Sequence, residues 1–256
     1  MTVQDNPVAA IQTTRLRKKF GEIDVAHDIS FRLEQGARHA LIGPNGAGKT
    51  TLVNLLTGQI KPSGGTIHLN GRDVTSLSTD RRIRNGLART FQINTLLRGL
   101  TVLENVQLAV LEQRRQGASI FFGKTAQIEA ADSAYDLLGQ TNLAADAGRV
   151  ISDLSYGRQR LVEVAIALAL KPSVLLLDEP AAGVTPADSH HMFELIEALP
   201  KSIAVLIVEH DMKLVFRFAK IITVLVQGKV LMSGTPEQIS NDPRVRDIYL
   251  GHRNHA

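Results

Sequence analysis

The chain has 256 residues, 44% of them hydrophobic and 21% charged, which are the proportions of an ordinary folded protein and not of a disordered or fibrous one. Lysine and arginine total 29 against 25 acidic residues, an excess too small and too dispersed for a nucleic-acid footprint, and the basic stretches 15–19 and 81–84 read as solvated surface. The absence of cysteine excludes disulfides and thiolate metal sites and allows a reducing compartment.

Residues 1–7 carry neither a basic nor an apolar signal-peptide region. The longest apolar runs, such as 203–208, fall far short of the roughly 20 residues needed to span a bilayer. Short apolar runs alternate with helical patterns, which predicts an α/β fold, a mainly parallel sheet covered by helices. The first run, 40–42, is apolar at successive positions, as a strand buried on both faces requires, and leads into a glycine-rich loop and a helix over 51–56. Residues 67–74 read as a hairpin with Asn70 and Gly71 in its turn, part of an antiparallel side sheet.

From about 93 to 153, and most clearly over 101–153, Ala, Leu, Glu and Gln predominate, so a helical subdomain is expected there, with a loop over 113–124. Ser155 can cap a further helix running through Leu161, Ala165 and Leu168. Two more buried strands are expected at 174–177 and 204–208, ending in Asp178-Glu179 and Glu209-His210. A strand–turn–strand pattern punctuated by Gly228 covers 221–232, and Pro236 opens a helical tail over 236–256. The whole reads as one domain over 1–256.

Gly43-Pro-Asn45-Gly46-Ala-Gly48-Lys49-Thr50 matches G-x-x-x-x-G-K-[ST] between a strand and a helix. Glycines there let successive amides turn inward, and the helix N-terminus adds its positive end to an anion site. Lys49 supplies a full charge for the β- and γ-phosphates, the Thr50 hydroxyl a ligand for Mg²⁺, and Thr51 a donor to a phosphate oxygen. A nucleoside triphosphatase using Mg-ATP is expected.

At the end of the second buried strand, Asp178 is suited to hold Mg²⁺ through its water shell and Glu179 to polarise the attacking water; a helix N-cap pair ahead of Pro180 is the structural alternative. Taken alone, Ser155 is a plain N-cap, Gln92 a surface glutamine and Phe20 a core aromatic. His210 closes a buried strand in a chain that already carries a phosphate loop, which favours a functional role. His190 and His191 are adjacent on a helix, point in different directions and read as a solvated face.

The order of Gln92, the segment 154–158, Asp178-Glu179 and His210 after the phosphate loop resembles the ATP-binding cassette family over nearly the whole chain. The resemblance implies that Leu154-Ser155-Tyr156-Gly157-Arg158 is the signature motif, whose Ser155 and Gly157 bind the γ-phosphate of ATP held by the opposite subunit. Tyr156 and Arg158 depart from the commonest pattern, and Thr185 stands where Asp or Asn is usual. By the same resemblance, Gln92 senses Mg²⁺ and the attacked water, His210 contacts the γ-phosphate, and Phe20 stacks on adenine.

The segments 88–92, 101–105, 179–183 and 208–212 are most similar to the branched-chain amino-acid importer ATPases. Membership implies a homodimer or a heterodimer with a sister ATPase, transmembrane permease subunits, an indirectly coupled periplasmic or extracellular substrate-binding protein, and a place on the cytoplasmic face of the cell membrane. An export or lipid-extraction ATPase is the nearer alternative. A soluble cassette acting on nucleic acid or a ribosome is the more distant one, because no basic tail or second cassette is present.

Overall fold

A computed structural model describes residues 8–90, 96–114 and 123–250. The strands are β1 (Ile11–Phe20), β2 (Ile23–Leu33), β3 (Arg38–Ile42), β4 (Gly64–Leu69), β5 (Arg72–Asp73), β6 (Leu87–Arg89), β7 (Val174–Asp178), β8 (Ala204–Val208), β9 (Ile221–Val226) and β10 (Lys229–Gly234). The helices are α1 (Lys49–Thr57), α2 (Thr79–Arg84), α3 (Val102–Arg114), α4 (Lys124–Gln140), α5 (Tyr156–Ala169), α6 (Pro186–Ala198), α7 (Met212–Phe218), α8 (Pro236–Asn241) and α9 (Pro243–Leu250). They form two compact units, residues 1–85 with 200–256, and residues 86–199.

The first unit carries an antiparallel sheet in the order β2-β1-β4-β5. Its β4–β5 turn is the expected one: Leu69 pairs with Arg72, and both Asn70 and Gly71 have positive φ, which matches the right-handed twist of the flanking strands. The parallel part of the unit has β3 between β8 and β9, with Ala40 opposite Ile207 on one side and Ile222 on the other. Every residue of β8 and all but the first of β3 are buried, so the uninterrupted apolar runs are what a strand covered on both faces needs. α1 follows β3 and buries Leu52, Val53, Leu55 and Leu56, each worth roughly 2 kcal/mol of transfer free energy.

One sequence expectation is corrected here. The basic stretch 81–84 is not all solvated surface, because Arg82 is only 1% exposed. Its guanidinium donates to the carbonyls of Leu55 (2.5 Å), Leu56 (2.7 Å), Thr75 (3.0 Å) and Leu77 (3.2 Å). The last-turn carbonyls of α1 would otherwise lack partners, and a cation there complements the negative end of the helix. Burial pushes the Arg82 pKa down, with Asp73 opposing that shift.

The second unit carries the parallel pair β6–β7, with Leu87 opposite Val174 and Arg89 opposite Leu176. α3 begins with a capping box: the Thr101 amide donates to Glu104 Oε2 (2.7 Å) and the Glu104 amide to Thr101 Oγ1 (3.2 Å). α3 and α4 pack on each other and on α5. The unit is therefore wider than the helical segment expected at 93–153, since α5 continues into β7 and α6. α3 runs to Arg114 and α4 resumes at Lys124; 115–122, the middle of the expected loop, lie outside the described residues.

His39, in β3, is 3% exposed, sits edge-on to the Phe31 ring at 5.1 Å and shares a 2.8 Å hydrogen bond with Thr223 Oγ1. Burial lowers its pKa from 6.5 to about 4. Between those values the unfolded chain binds a proton that the folded chain refuses, so this group makes stability rise with pH and fall as the pH drops from 6.5 toward 4. We expect His39→Asn to remove that contribution, so that its urea-unfolding free energy falls less than that of the wild type between pH 7 and pH 4, by on the order of 2–3 kcal/mol. A difference that does not vary with pH would contradict the assignment.

Candidate functional site

In the first unit, the chain leaves β3 at Gly43 and re-enters regular structure at Lys49. Gly43 packs so closely on β9 that an added Cβ would overlap the Leu225 carbonyl oxygen, and Gly46 and Gly48 take positive φ values of 77° and 98°. These are the two properties that glycine alone supplies cheaply: close backbone approach and left-handed turns. The loop is braced by the β9–β10 turn, where the Gly228 amide donates to the Ala47 carbonyl (2.9 Å). Gly228 in turn accepts from the His27 amide (2.8 Å).

α1 starts directly after Gly48, which offers no side-chain cap, so the amides of its first turn are available to an anion. Lys49 is partly buried, and its ammonium donates to the carbonyls of Gly43 (2.7 Å) and Pro44 (3.1 Å), which holds the side chain folded over the loop. Thr50 and Thr51 occupy the first turn. A cavity of about 440 Å³ borders Pro44, Asn45, Gly46 and Ala47, with Gln227 and Asp247 on its other walls. Next to it, burial raises the Tyr249 phenol of α9 to about 12, and the Gly43 backbone opposes that shift.

Leu41 lies opposite Val208, so β3 and β8 release Gly43 and Glu209-His210 at the same edge of the sheet. The Glu209 carboxylate is 2% exposed and accepts from the His210 amide (3.0 Å), while the His210 ring is largely exposed with Nδ1 3.7 Å from Glu209 Oε2. Phe20, at the end of β1, is 49% exposed, so the core reading fails; its ring carries the Lys18 ammonium 4.8 Å from its centroid. The adjacent β2 passes Val25 against Gly48, which brings this exposed aromatic end of the β1–β2 hairpin toward the loop.

In the second unit, β7 is buried throughout and ends at Asp178. The next residue, Glu179, is partly exposed and has φ 48°, a left-handed conformation uncommon for a residue with a side chain. No helix begins at Pro180; α6 starts at Pro186 and is capped by Thr185, whose Oγ1 accepts from the Asp188 amide (3.2 Å) and donates to Asp188 Oδ2 (2.9 Å). The N-cap alternative for Asp178-Glu179 is thus excluded. Gln92 lies outside the described residues.

Ser155 caps α5, accepting from the Arg158 amide (3.4 Å). At Gly157 an added Cβ would sit 2.7 Å from the Asp188 Cβ and closer still to its carboxylate, so the approach of α5 to the start of α6 requires glycine. Arg158 donates through Nε to Asp146 Oδ2 (2.8 Å) and through Nη2 to the same oxygen, while Arg149 donates to Oδ1 (3.0 Å). Its departure from the commonest signature residue therefore has a local use, anchoring α5 to the turn at 144–146. The Tyr156 ring lies 5.2 Å from the Arg160 guanidinium carbon and 3.2 Å from where a Cβ on Gly183 would stand.

Sequence reasoning missed one contact at this site. Arg89, at the end of β6, donates to Asp178 Oδ2 (2.6 Å), and both side chains are about nine-tenths buried. The strand that carries it, three residues long, gives no period in the sequence by which the contact could have been found. Magnesium takes oxygen donors, commonly one or two from protein beside phosphate oxygens. The Thr50 hydroxyl in the first unit and the Asp178 carboxylate in the second are each donors of that kind, and among the described residues no cluster of three His, Cys, Asp or Glu could hold a metal ion by itself. His190 and His191 instead face Glu194 and Asn142 on the surface of α6.

Residues 26–182 match the family model described as ABC transporter. The chain belongs to the ATP-binding cassette transporter family. Residues 229–255 match a second model, described as branched-chain amino acid ATP-binding cassette transporter. The cassette is 41% identical over 252 residues to the high-affinity branched-chain amino acid transport ATP-binding protein LivG of Salmonella typhimurium, covering 96% of this chain and 98% of the relative. Its fold is similar to the crystal structure of the ADP conformation of an ATP-binding cassette of an ABC transporter, with a TM-score of 0.82, 31% identity, and 95% and 99% coverage. A dimeric post-hydrolysis cassette bound to ADP and phosphate matches with a TM-score of 0.74, 25% identity, and 88% and 98% coverage. The cassette is an ATPase that energises transport.

Gly157→Ala should destabilise the cassette by about 1–3 kcal/mol, because the new methyl group collides with the Asp188 Cβ as well as its carboxylate. Urea denaturation measures this; wild-type stability would show that the α5–α6 approach is not as close as described.

Proposed function

We propose that this chain is the ATP-hydrolysing subunit of an importer for branched-chain amino acids or related small polar solutes. The observation that carries the importer branch is the match of residues 229–255, from β10 through the tail, to the branched-chain cassette model, alongside the full-length likeness to LivG. Export or lipid extraction, and action on nucleic acid, have no comparable support.

In this reading the amides at the start of α1 and the Lys49 ammonium bind the β- and γ-phosphates, with Gly43, Asn45, Gly46 and Gly48 shaping the loop and Thr51 donating to a phosphate oxygen. Phe20 stacks on adenine. Thr50, Asp178 and Gln92 would hold Mg²⁺, which when bound would supply charge neutralisation on the phosphates. Glu179 takes a proton from water as the water oxygen attacks the γ-phosphorus and the bond to the ADP oxygen breaks, and His210 contacts the γ-phosphate. Ser155 and Gly157 act on ATP held by the opposite subunit, a role supported by their place at the N-terminus of α5 and by the dimeric relative.

Dimerisation, with a second copy or a sister ATPase, then closes around two nucleotides and drives transmembrane permease subunits served by an external substrate-binding protein. The chain itself sits on the cytoplasmic face of the cell membrane. No helix among the described residues is long and apolar enough to cross it, so attachment through the permease is the economical arrangement.

Loss of the gene should reduce uptake of radiolabelled leucine, isoleucine or valine. Reintroduced wild type should restore it, and Glu179→Gln should bind ATP normally while its hydrolysis and uptake fall by about a hundredfold or more, the scale of losing a general base. Undiminished turnover in the purified Glu179→Gln protein would overturn the base assignment, and unchanged uptake in the gene-deleted strain would overturn the substrate class.

A further inference from the structure

We infer that Arg89 is a positioning residue for Asp178, setting the pose of the carboxylate that holds the metal of Mg-ATP; this rests on the reading of Asp178 proposed above. The two side chains meet at 2.6 Å and are 10% and 8% exposed, so the contact is a desolvated, charge-assisted hydrogen bond and not a surface ion pair.

The register explains how they meet. Arg89 is opposite Leu176 in the parallel β6–β7 ladder, and the Thr90 amide continues the ladder onto the Leu176 carbonyl at 3.0 Å. Aligned residues in a ladder share a face, and Asp178, two residues beyond Leu176, shares that face too. Reaching it means running about 6–7 Å along the strand, the rise of two residues, which a long side chain can do and a short one cannot. The register is itself fixed at the other end, where the amides of Ser173 and Val174 both donate to the Gly86 carbonyl at 2.9 Å.

The physical need is plain. A carboxylate this buried requires a partner that is present before the metal arrives, and the same partner removes its rotational freedom. A carboxylate can accept at both oxygens, so Arg89 on Oδ2 leaves capacity for a metal's water shell. Groups that orient a metal ligand from behind commonly change metal affinity by about 10–100-fold when replaced.

The test uses the full-length protein. Manganese(II) is titrated, with detection by paramagnetic resonance, into isolated complexes of wild type, Arg89→Gln, Arg89→Lys and Asp178→Asn with the slowly hydrolysed nucleotide ATPγS. Metal-free nucleotide affinity and thermal melts are measured on the same samples. Arg89→Gln should weaken manganese binding by about tenfold and Arg89→Lys by about two- to threefold, with metal-free nucleotide affinity within about twofold of wild type in both.

If Arg89→Gln does not fold, the Arg89→Lys protein decides, and unchanged manganese affinity there overturns the inference. Wild-type manganese affinity in folded Arg89→Gln, or an equal loss of metal-free nucleotide affinity, also overturns it. If Asp178→Asn itself binds manganese normally, the reading of Asp178 fails and the positioning role falls with it. A loss in Asp178→Asn with none in Arg89→Gln removes the positioning role alone.

Discussion

The constraint on which the first unit depends is that α1 must present bare amides at one end and satisfy its carbonyls at the other. Its N-terminus has no side-chain cap because Gly48 precedes it, and that omission leaves its amides open for the phosphate binding proposed above. At the opposite end the buried Arg82 guanidinium takes up the Leu55 and Leu56 carbonyls. A cation there and an anion at the start both lie along the favourable direction of the helix dipole. The loop ahead of the helix is clamped as well, by Gly43 against β9 and by Ala47 accepting from Gly228, so the amides are arranged before a ligand binds. Preorganisation of this kind lowers the ordering cost of binding.

The second unit repeats a different device, a buried carboxylate given a neighbouring arginine. Asp178 has Arg89, and Asp146 has Arg158 and Arg149. Such pairs do not stabilise a fold as strongly as their Coulomb energy implies, because both ions lose water, but losing one partner strands the other. They are suited to fixing direction. At Asp178 the direction concerns the carboxylate proposed to hold the metal, and at Asp146 it concerns the start of α5, where Ser155 and Gly157 lie. The unusual Arg158 is thus built into the support of the segment whose commonest pattern it departs from.

Much of this was legible in the sequence, for reasons that differ by element. The runs that became β3, β7 and β8 are apolar at nearly every position, and few structures other than a strand buried on both faces use such runs. The phosphate loop was legible because glycine spacing, a lysine and a hydroxyl coincide between strand and helix. β1, β2 and β6 were not located, since their exposed faces carry charges and β6 is too short to show a period. Arg82 and Arg89 were invisible for a related reason: arginine reads as surface, and only the fold shows which carbonyls or carboxylate it reaches. Phe20 and His210 could be named from the resemblance, but their exposure needed the structure.

Mg-ATP binding to the purified chain by titration calorimetry tests the central claim most directly, with Lys49→Ala as the comparison. The preorganised loop predicts saturable binding of one nucleotide per chain, weakened at least about tenfold when the ammonium that spans Gly43 and Pro44 is removed. No saturable binding by the wild type, or equal affinity in the two proteins, would contradict it.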